Sequence, residues 1–162
     1  MSISTGKKAE AKIKEWLDRP EEGYCLDRVK DQLSGLQGSK NICDFTLFKS
    51  PEFYYIESKE TENDRFDFRN ITGFDTTDDK SCQYGGLLYK SKIAHVHGVI
   101  ILLFTSYKRA FIIDINEIRR LDLSGVKSLN IKKIDKWSIR YKEIQTIPSR
   151  KMLLDYEGDF EL

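Results

Sequence analysis

Between Thr5 and Asp18 the apolar residues Ala9, Ile13, Trp16 and Leu17 fall on one face at spacings of three and four, which predicts a helix. Ile3 with the Ser4–Thr5 pair marks its start, and Asp18-Arg19-Pro20 its end, because proline drives the preceding residue out of helical conformation. The polar connection from Pro20 to Lys40 carries turn signals at Gly35 and Gly38, and its middle, Leu26 to Leu33, fits a strand or a short helix. Two runs rich in aromatic and branched residues follow, Asn41–Phe48 (NICDFTLF) and Glu52–Lys59 (EFYYIESK). Their short connection, Lys49-Ser50-Pro51, predicts an antiparallel hairpin. Thr61–Asn70 is acidic and aromatic and reads as a short strand or extended loop.

A second helix is expected over 79–97, then a second hairpin from Gly98–Thr105 (GVIILLFT) and Arg109–Ile115 (RAFIIDI) across Ser106-Tyr107-Lys108. The first of these strands is apolar on both faces, as a central strand covered on both sides should be. Asn116 is a candidate cap for a short helix reaching Leu121, and the basic segment 127–151 is mixed. The order of elements predicts an α/β domain with a mixed central sheet of about five strands flanked by helices, a single domain over 1–151. The acidic residues 152–162 are expected to fray as a C-terminal tail.

Length and composition narrow the class. The chain has 162 residues, enough for one core, and is 40% hydrophobic and 33% charged, which excludes a disordered or low-complexity protein. Its longest uncharged apolar run, Val99–Phe104, is far short of the roughly 20 residues of a membrane helix. No apolar core follows the N-terminal lysines, so no secretory signal is expected, and Cys25, Cys43 and Cys82 form no CxxC pair. A cytoplasmic protein with reduced thiols is the expectation.

Net charge is only +1, but its distribution is uneven: residues 1–40 sum to +1, 41–80 to −5, 81–151 to +9 and 152–162 to −4. A basic stretch beside an acidic cluster suits a metal-dependent enzyme acting on a polyanion, with cations on phosphates and carboxylates on the metal. Solvated faces of unequal sign would give the same sums.

The acidic cluster contains the candidate chemistry. Side chains alternate along a strand, so Glu57 and Lys59 share a face, roughly 6–7 Å apart along the chain. Ile42, Asp44, Thr46 and Phe48 share a face of the preceding run. If the hairpin sets Asp44 on the Glu57 side, two carboxylates and an ammonium converge, which is costly to bury unless they hold a cation or pair with one another. Such a site suits Mg²⁺, which prefers hard oxygen ligands and is held by one or two carboxylates plus a substrate phosphate. In it Lys59 could orient the attacking water and offset transition-state charge. A simple cross-strand ion pair is the competing reading.

Asp44, twelve intervening residues and then Glu57-Ser58-Lys59 resemble the PD-(D/E)xK nuclease signature. The blocks Asn41-Ile42-Cys43-Asp44-Phe45 and Ile56-Glu57-Ser58-Lys59-Glu60-Thr61, the pair Phe66 and Phe68, Gln83, and the strand Gly98–Phe104 together resemble RecU-type Holliday junction resolvases, particularly their short phage-encoded members. The resemblance implies a restriction-endonuclease-like core, metal ligation by Asp44 and Glu57 with the Ser58 carbonyl, and Lys59 as catalytic lysine. It adds Glu10 from the first helix, completing the metal site through water, and Gln83 from the second helix. Arg28, in Arg28-Val29-Lys30-Asp31, would contact a phosphate. A surface glutamate pairing with Lys7 or Lys14, a helix-surface glutamine and a plain exposed arginine are the competing readings of Glu10, Gln83 and Arg28.

The implied activity is Mg²⁺-dependent cleavage of four-way DNA junctions, with Mn²⁺ as a substitute, by a homodimer that nicks two strands symmetrically. Lys7, Lys8, Arg28, Lys90 and Lys92 are the expected DNA contacts, and no membrane partner is expected. The implied setting is DNA-associated, in a phage-infected bacterial cytoplasm. A restriction- or repair-type nuclease on linear duplex DNA and a catalytically silent DNA-binding module are the alternatives. Three departures stand out: Cys82 where larger members carry histidine, Cys43 in place of the signature proline, and no insertion long enough for a junction-threading stalk. His95 and His97, with no cysteine or third histidine nearby, read as a helix end, Gly85-Gly86 lacks the frame of a phosphate loop, and the cysteines, Trp16 and Trp137 read as packing residues.

Overall fold

The computed structural model describes residues 5–29, 41–76, 78–148 and 154–162. The elements that frame the site are α1 (Thr5–Leu17), β1 (Tyr24–Arg28), β2 (Phe45–Lys49), β3 (Glu52–Thr61), β4 (Arg65–Asp67), α2 (Gln83–Lys90), β5 (Val96–Phe104) and β6 (Arg109–Asp114). They are followed by α3 (Ile115–Leu123), β7 (Ser128–Asn130), β8 (Tyr141–Pro148) and β9 (Leu154–Glu157). The described strands form one seven-stranded sheet, β1-β2-β3-β5-β6-β8-β9, and a two-stranded β4-β7 ribbon. Among the described strands only β3 and β5 pair in parallel, so the sheet is mixed and the chain is an α/β fold with helices on both faces. The sheet exceeds the expected five strands because β1 and the β8–β9 pair extend its edges.

Alternation along the strands divides the core. Ile56, Val99, Ile101 and Ile112 face one side, where Ile13, Trp16 and Leu17 of α1 cover them. Ile100, Leu102, Phe104, Phe111 and Ile113 face the other, beneath Tyr84 and Leu87 of α2 and Ile118 and Leu121 of α3. Both expected hairpins are present, β2 with β3 and β5 with β6, and β5 lies between β3 and β6 with residues 98–102 buried.

Six expectations need correction. The helix expected over 79–97 is only eight residues, Gln83–Lys90. The Asp79 carboxylate accepts from the Ser81 N–H and hydroxyl ahead of it, holding a turn there. At its far end the Ser91 hydroxyl donates to the Leu87 carbonyl and accepts from Gly98 N–H, which fastens the helix end to β5. His95 and His97 therefore do not end a helix: His95 sits at φ 61° before β5, His97 lies in it, and both reach Glu52. The run from Asn41 becomes strand only at Phe45. Asp114, not Asn116, caps α3, accepting from Asn116 N–H. Residues 154–162 do not fray: β9 pairs with β8, Trp16 Nε1 donates to the Gly158 carbonyl, and Phe160 is buried against Trp16 and Tyr54. Of the undecided segment Leu26–Leu33, residues up to Arg28 form β1, and 30–33 lie outside the described residues, as does the Ser4 of the helix start signal. Cys25 is exposed rather than packed.

The parallel β3–β5 pairing requires a crossover, and α2 lies within it, over the face that carries Glu57 and Lys59. Two glycines let it approach. A Cβ on Gly86 would lie 2.4 Å from Ile42 Cγ2 and 2.9 Å from the Lys80 carbonyl oxygen, and one on Gly98 would lie 2.9 Å from the Leu87 carbonyl oxygen. Gly86 is thus a packing residue that seats the N-terminal turn of α2, and Gln83 with it.

Candidate active site

The β2–β3 register pairs Phe45 with Ile56, which puts Asp44 and Glu57 each one step beyond the same pair. Phe45 and Ile56 point into the α1-side core, so Glu57 points to the opposite face. Asp44 is anchored there: its N–H donates to the Ile56 carbonyl, its carbonyl accepts from Val29 N–H, and its Oδ2 accepts from Ser58 N–H at 2.8 Å. In an extended strand a residue's N–H and C=O point to the same edge, so the Ser58 carbonyl also faces the Asp44 side, where the β2 ladder has ended.

Glu57 is the one charged side chain buried outright among the described residues, at 2% exposure. Its Oε1 lies 2.9 Å from Lys59 Nζ and accepts from Gln83 Nε2 at 2.6 Å. Its Oε2 is buried with no hydrogen-bond partner. Gln83 Oε1 accepts from Lys59 Nζ at 2.9 Å and from Thr72 N–H at 3.1 Å, so one amide fixes both the carboxylate and the ammonium. Burial pushes the Glu57 carboxyl up to about 7, with the Asp44 charge adding to it and Lys59 opposing it. Asp44 is also raised, chiefly by burial, while Ser58 N–H opposes the rise. Two carboxyls that burial holds above their ordinary range, with the Asp44 charge raising Glu57 further and that of Glu10 raising Asp44, favour a cation between them.

Glu10 and Arg28 flank this centre. Arg28, opposite Phe45 at the end of β1, places Nη2 2.5 Å from Glu10 Oε2 on α1. Neither Lys7 nor Lys14 takes the Glu10 carboxylate, contrary to the competing reading; Arg28 does. Glu10, Arg28, Asp44, Gln83, Asn41 and Thr72 line a cavity of about 290 Å³ that also touches Cys43 and Val29. Asn41, which opens the block leading to Asp44, and Thr72 were given no role at the site; Thr72 contributes its backbone N–H, which any residue could supply.

The structure thus brings together Asp44, Glu57, Ser58, Lys59, Gln83 and Glu10, with Arg28 at the rim. It does not bring Lys90 and Lys92 to the cavity. They lie at and just past the opposite end of α2 from Gln83, Lys90 with its ammonium 5.6 Å from the Tyr55 ring centroid and Lys92 in a separate groove with Asp78 and Arg119. Lys7 and Lys8 are exposed on α1. Among the described residues no three His, Cys, Asp or Glu side chains gather to hold a metal ion. A centre here would therefore rest on Asp44 and Glu57 with backbone, water or substrate oxygens, a set that suits Mg²⁺ rather than a metal needing an all-protein cage. The unpartnered Glu57 Oε2 and the all-oxygen donors fit that ion.

No family model and no curated protein matches the chain. Among solved structures, the 1.6 Å structure of Hjc, a Holliday junction resolvase from the archaeal hyperthermophile Archaeoglobus fulgidus, aligns with a TM-score of 0.47. Sequence identity is 11%, covering 69% of this chain and 78% of that one. A likeness that slight leaves function to be argued from the side chains. Among the described residues no helix is long and apolar enough to cross a membrane.

Proposed function

We propose that this chain is a Mg²⁺-dependent endonuclease that hydrolyses phosphodiester bonds in branched DNA, with four-way junctions as substrate and Mn²⁺ as a working substitute. The observation that carries the reading is the state of Glu57. An ion pair with Lys59, two residues along the same strand, accounts for Oε1 but leaves Oε2 buried and unpaired beside a second raised carboxyl. Natural proteins rarely leave such an atom without a partner unless the site receives one.

Asp44 and Glu57, with the Ser58 carbonyl, would hold the ion, which when bound polarises the phosphoryl oxygen and lowers the pKa of a water. Lys59, fixed by Glu57 and Gln83, presents a cation to the charge that builds on the phosphorus oxygens. Gln83 prevents either partner from turning away. Arg28 and Lys7 provide phosphate contacts near the cavity, and Lys8 on the exposed side of α1 with Lys90 and Lys92 provide further ones, so binding should be steeply salt-dependent. Each chain offers one such site, and a junction must be nicked on two strands, so a C2 homodimer is the assembly proposed.

The test is cleavage of a labelled four-way junction and a linear duplex of equal length, with and without Mg²⁺, by the wild type and Asp44→Asn. Paired nicks in the junction, needing both Mg²⁺ and Asp44, are the expected result. Equal cutting of the linear duplex would replace junction resolution with a restriction- or repair-type activity. Junction binding without cleavage in either Mg²⁺ or Mn²⁺ would make the chain a silent DNA-binding module.

A further inference from the structure

The Glu10–Arg28 pair separates two cavities. On one side is the carboxylate cavity with Asp44 and Gln83. On the other is a cavity of about 360 Å³ lined by Lys7, Glu10, Ala11, Lys14, Arg28 and Phe45. Lys7, Glu10, Ala11 and Lys14 recur at i, i+3, i+4 and i+7, so they form one stripe along α1, exposed except at Glu10. The small Ala11 keeps the groove open between the two lysines. Three cations line it, and its single carboxylate is the one Arg28 holds.

We propose that this groove takes a DNA phosphate backbone and that the Glu10–Arg28 pair is a substrate-released latch on the metal site. This rests on the nuclease reading above. Arg28 serves two anions that cannot both have it. With no DNA present it pairs with Glu10 Oε2, which keeps a positive charge beside Asp44 and offsets the charge of the Glu10 carboxylate. A phosphate entering along Lys7 and Lys14 offers the guanidinium a bidentate partner. The pair is easily exchanged, since Arg28 is more than half exposed and such pairs contribute little on their own. Once Arg28 turns to the phosphate, Glu10, already on the wall of the Asp44 cavity, is left there as an uncompensated carboxylate, and the site's demand for a cation rises. Metal and DNA thereby tighten one another, and the coupling is reciprocal. No bond is made or broken in this step; two ion pairs change partners.

The test uses Ca²⁺ as the metal probe and a fluorescent four-way junction as the DNA probe, at fixed ionic strength. Ca²⁺ affinity is read by calorimetry without DNA, and junction affinity by anisotropy in EDTA. A latch predicts effects that favour ligand binding in both halves. Arg28→Met should tighten Ca²⁺ about fivefold without DNA, a change of the size expected for a partly exposed charge pair. Glu10→Gln should tighten the junction in EDTA by more than Glu15→Gln does; Glu15 lies on the same helix and pairs with Lys12, so it supplies the plain effect of removing one negative charge. Lys14→Ala should weaken the junction and flatten its salt dependence by about one ion, leaving Ca²⁺ affinity unchanged. A merely structural pair predicts a Glu10→Gln junction gain no larger than that of Glu15→Gln. Unchanged or weaker Ca²⁺ binding by Arg28→Met, or a Glu10→Gln junction affinity no better than that of Glu15→Gln, would overturn the latch. If the wild type binds both probes in those cases, the nuclease reading survives; if it binds neither, both fall together.

Discussion

Replacing Glu57 by glutamine should stabilise the metal-free protein while abolishing its response to metal. The wild-type carboxyl rises from an ordinary 4.5 to about 7 on folding, mainly through burial. Each tenfold change in an ionisation constant is about 1.4 kcal/mol, so above pH 7 the folded state carries a penalty of roughly 3 kcal/mol for the ionised group. The sign follows from linkage: the folded protein holds this proton more tightly than the unfolded chain. Stability from Glu57 is therefore present at low pH and is lost as pH rises from 4.5 through 7. Glutamine has the carboxyl's shape without its charge and keeps an acceptor for Lys59 and Gln83. Its amide N–H₂ at the unpartnered Oε2 position costs about 1–2 kcal/mol, leaving a net gain of about 1–2 kcal/mol at about pH 8.5, or roughly 3–6 °C in Tm. The assay is thermal unfolding in EDTA at about pH 5 and about pH 8.5, repeated with millimolar Mg²⁺. The variant's advantage should be present at the higher pH and shrink or reverse at the lower, because the amide's cost is independent of pH. Mg²⁺ should raise the wild-type Tm and leave that of the variant unchanged. A Tm difference in EDTA that is the same at both pH values would refute the claim that burial of this carboxylate strains the fold.

Three further outcomes follow from other parts of the molecule. Phe160→Ala removes a ring that is 1% exposed and packed on Trp16 and Tyr54, and should cost about 3–4 kcal/mol in denaturant unfolding; an unchanged midpoint would show that the C-terminal segment does not dock. Gly86→Ala forces a methyl toward Ile42 and the Lys80 carbonyl, and should cost about 1–3 kcal/mol while lowering cleavage more than stability, because α2 carries Gln83; equal losses of rate and folded fraction would count against that link. Mass-spectrometric alkylation near neutral pH should modify exposed Cys25 rapidly and leave Cys43 untouched until unfolding, since burial lifts that thiol to about 12; fast labelling of Cys43 in the native state would contradict its placement.

How far the sequence could reveal this site depended on how local each decision was. The two hairpins were legible because dense aromatic and branched runs meet across short connections, and the period of two then puts Glu57 and Lys59 on one face. The end of α2 was not legible. Lys90–His97 carries no local stop signal, and the boundary is set by Ser91, which bonds both to Leu87 behind it and to Gly98 ahead. The same holds for the chain's end: Asp155, Glu157 and Asp159 read as a solvated tail, and only the distant Trp16, Tyr24 and Tyr54 show where Tyr156 and Phe160 pack.

The site's rim shows the limit most directly. Glu10 and Arg28 could each be singled out from sequence, but as separate residues with separate competing readings. Their pairing depends on β1 lying beside β2, so that Arg28 stands opposite Phe45 and next to Asp44. A segment whose secondary structure could not be decided from its own residues could not show that neighbour. The acids and the lysine are set by one hairpin and were therefore readable. The guanidinium that pairs with Glu10 comes from a third strand, and with it comes the question of when the proposed metal site opens.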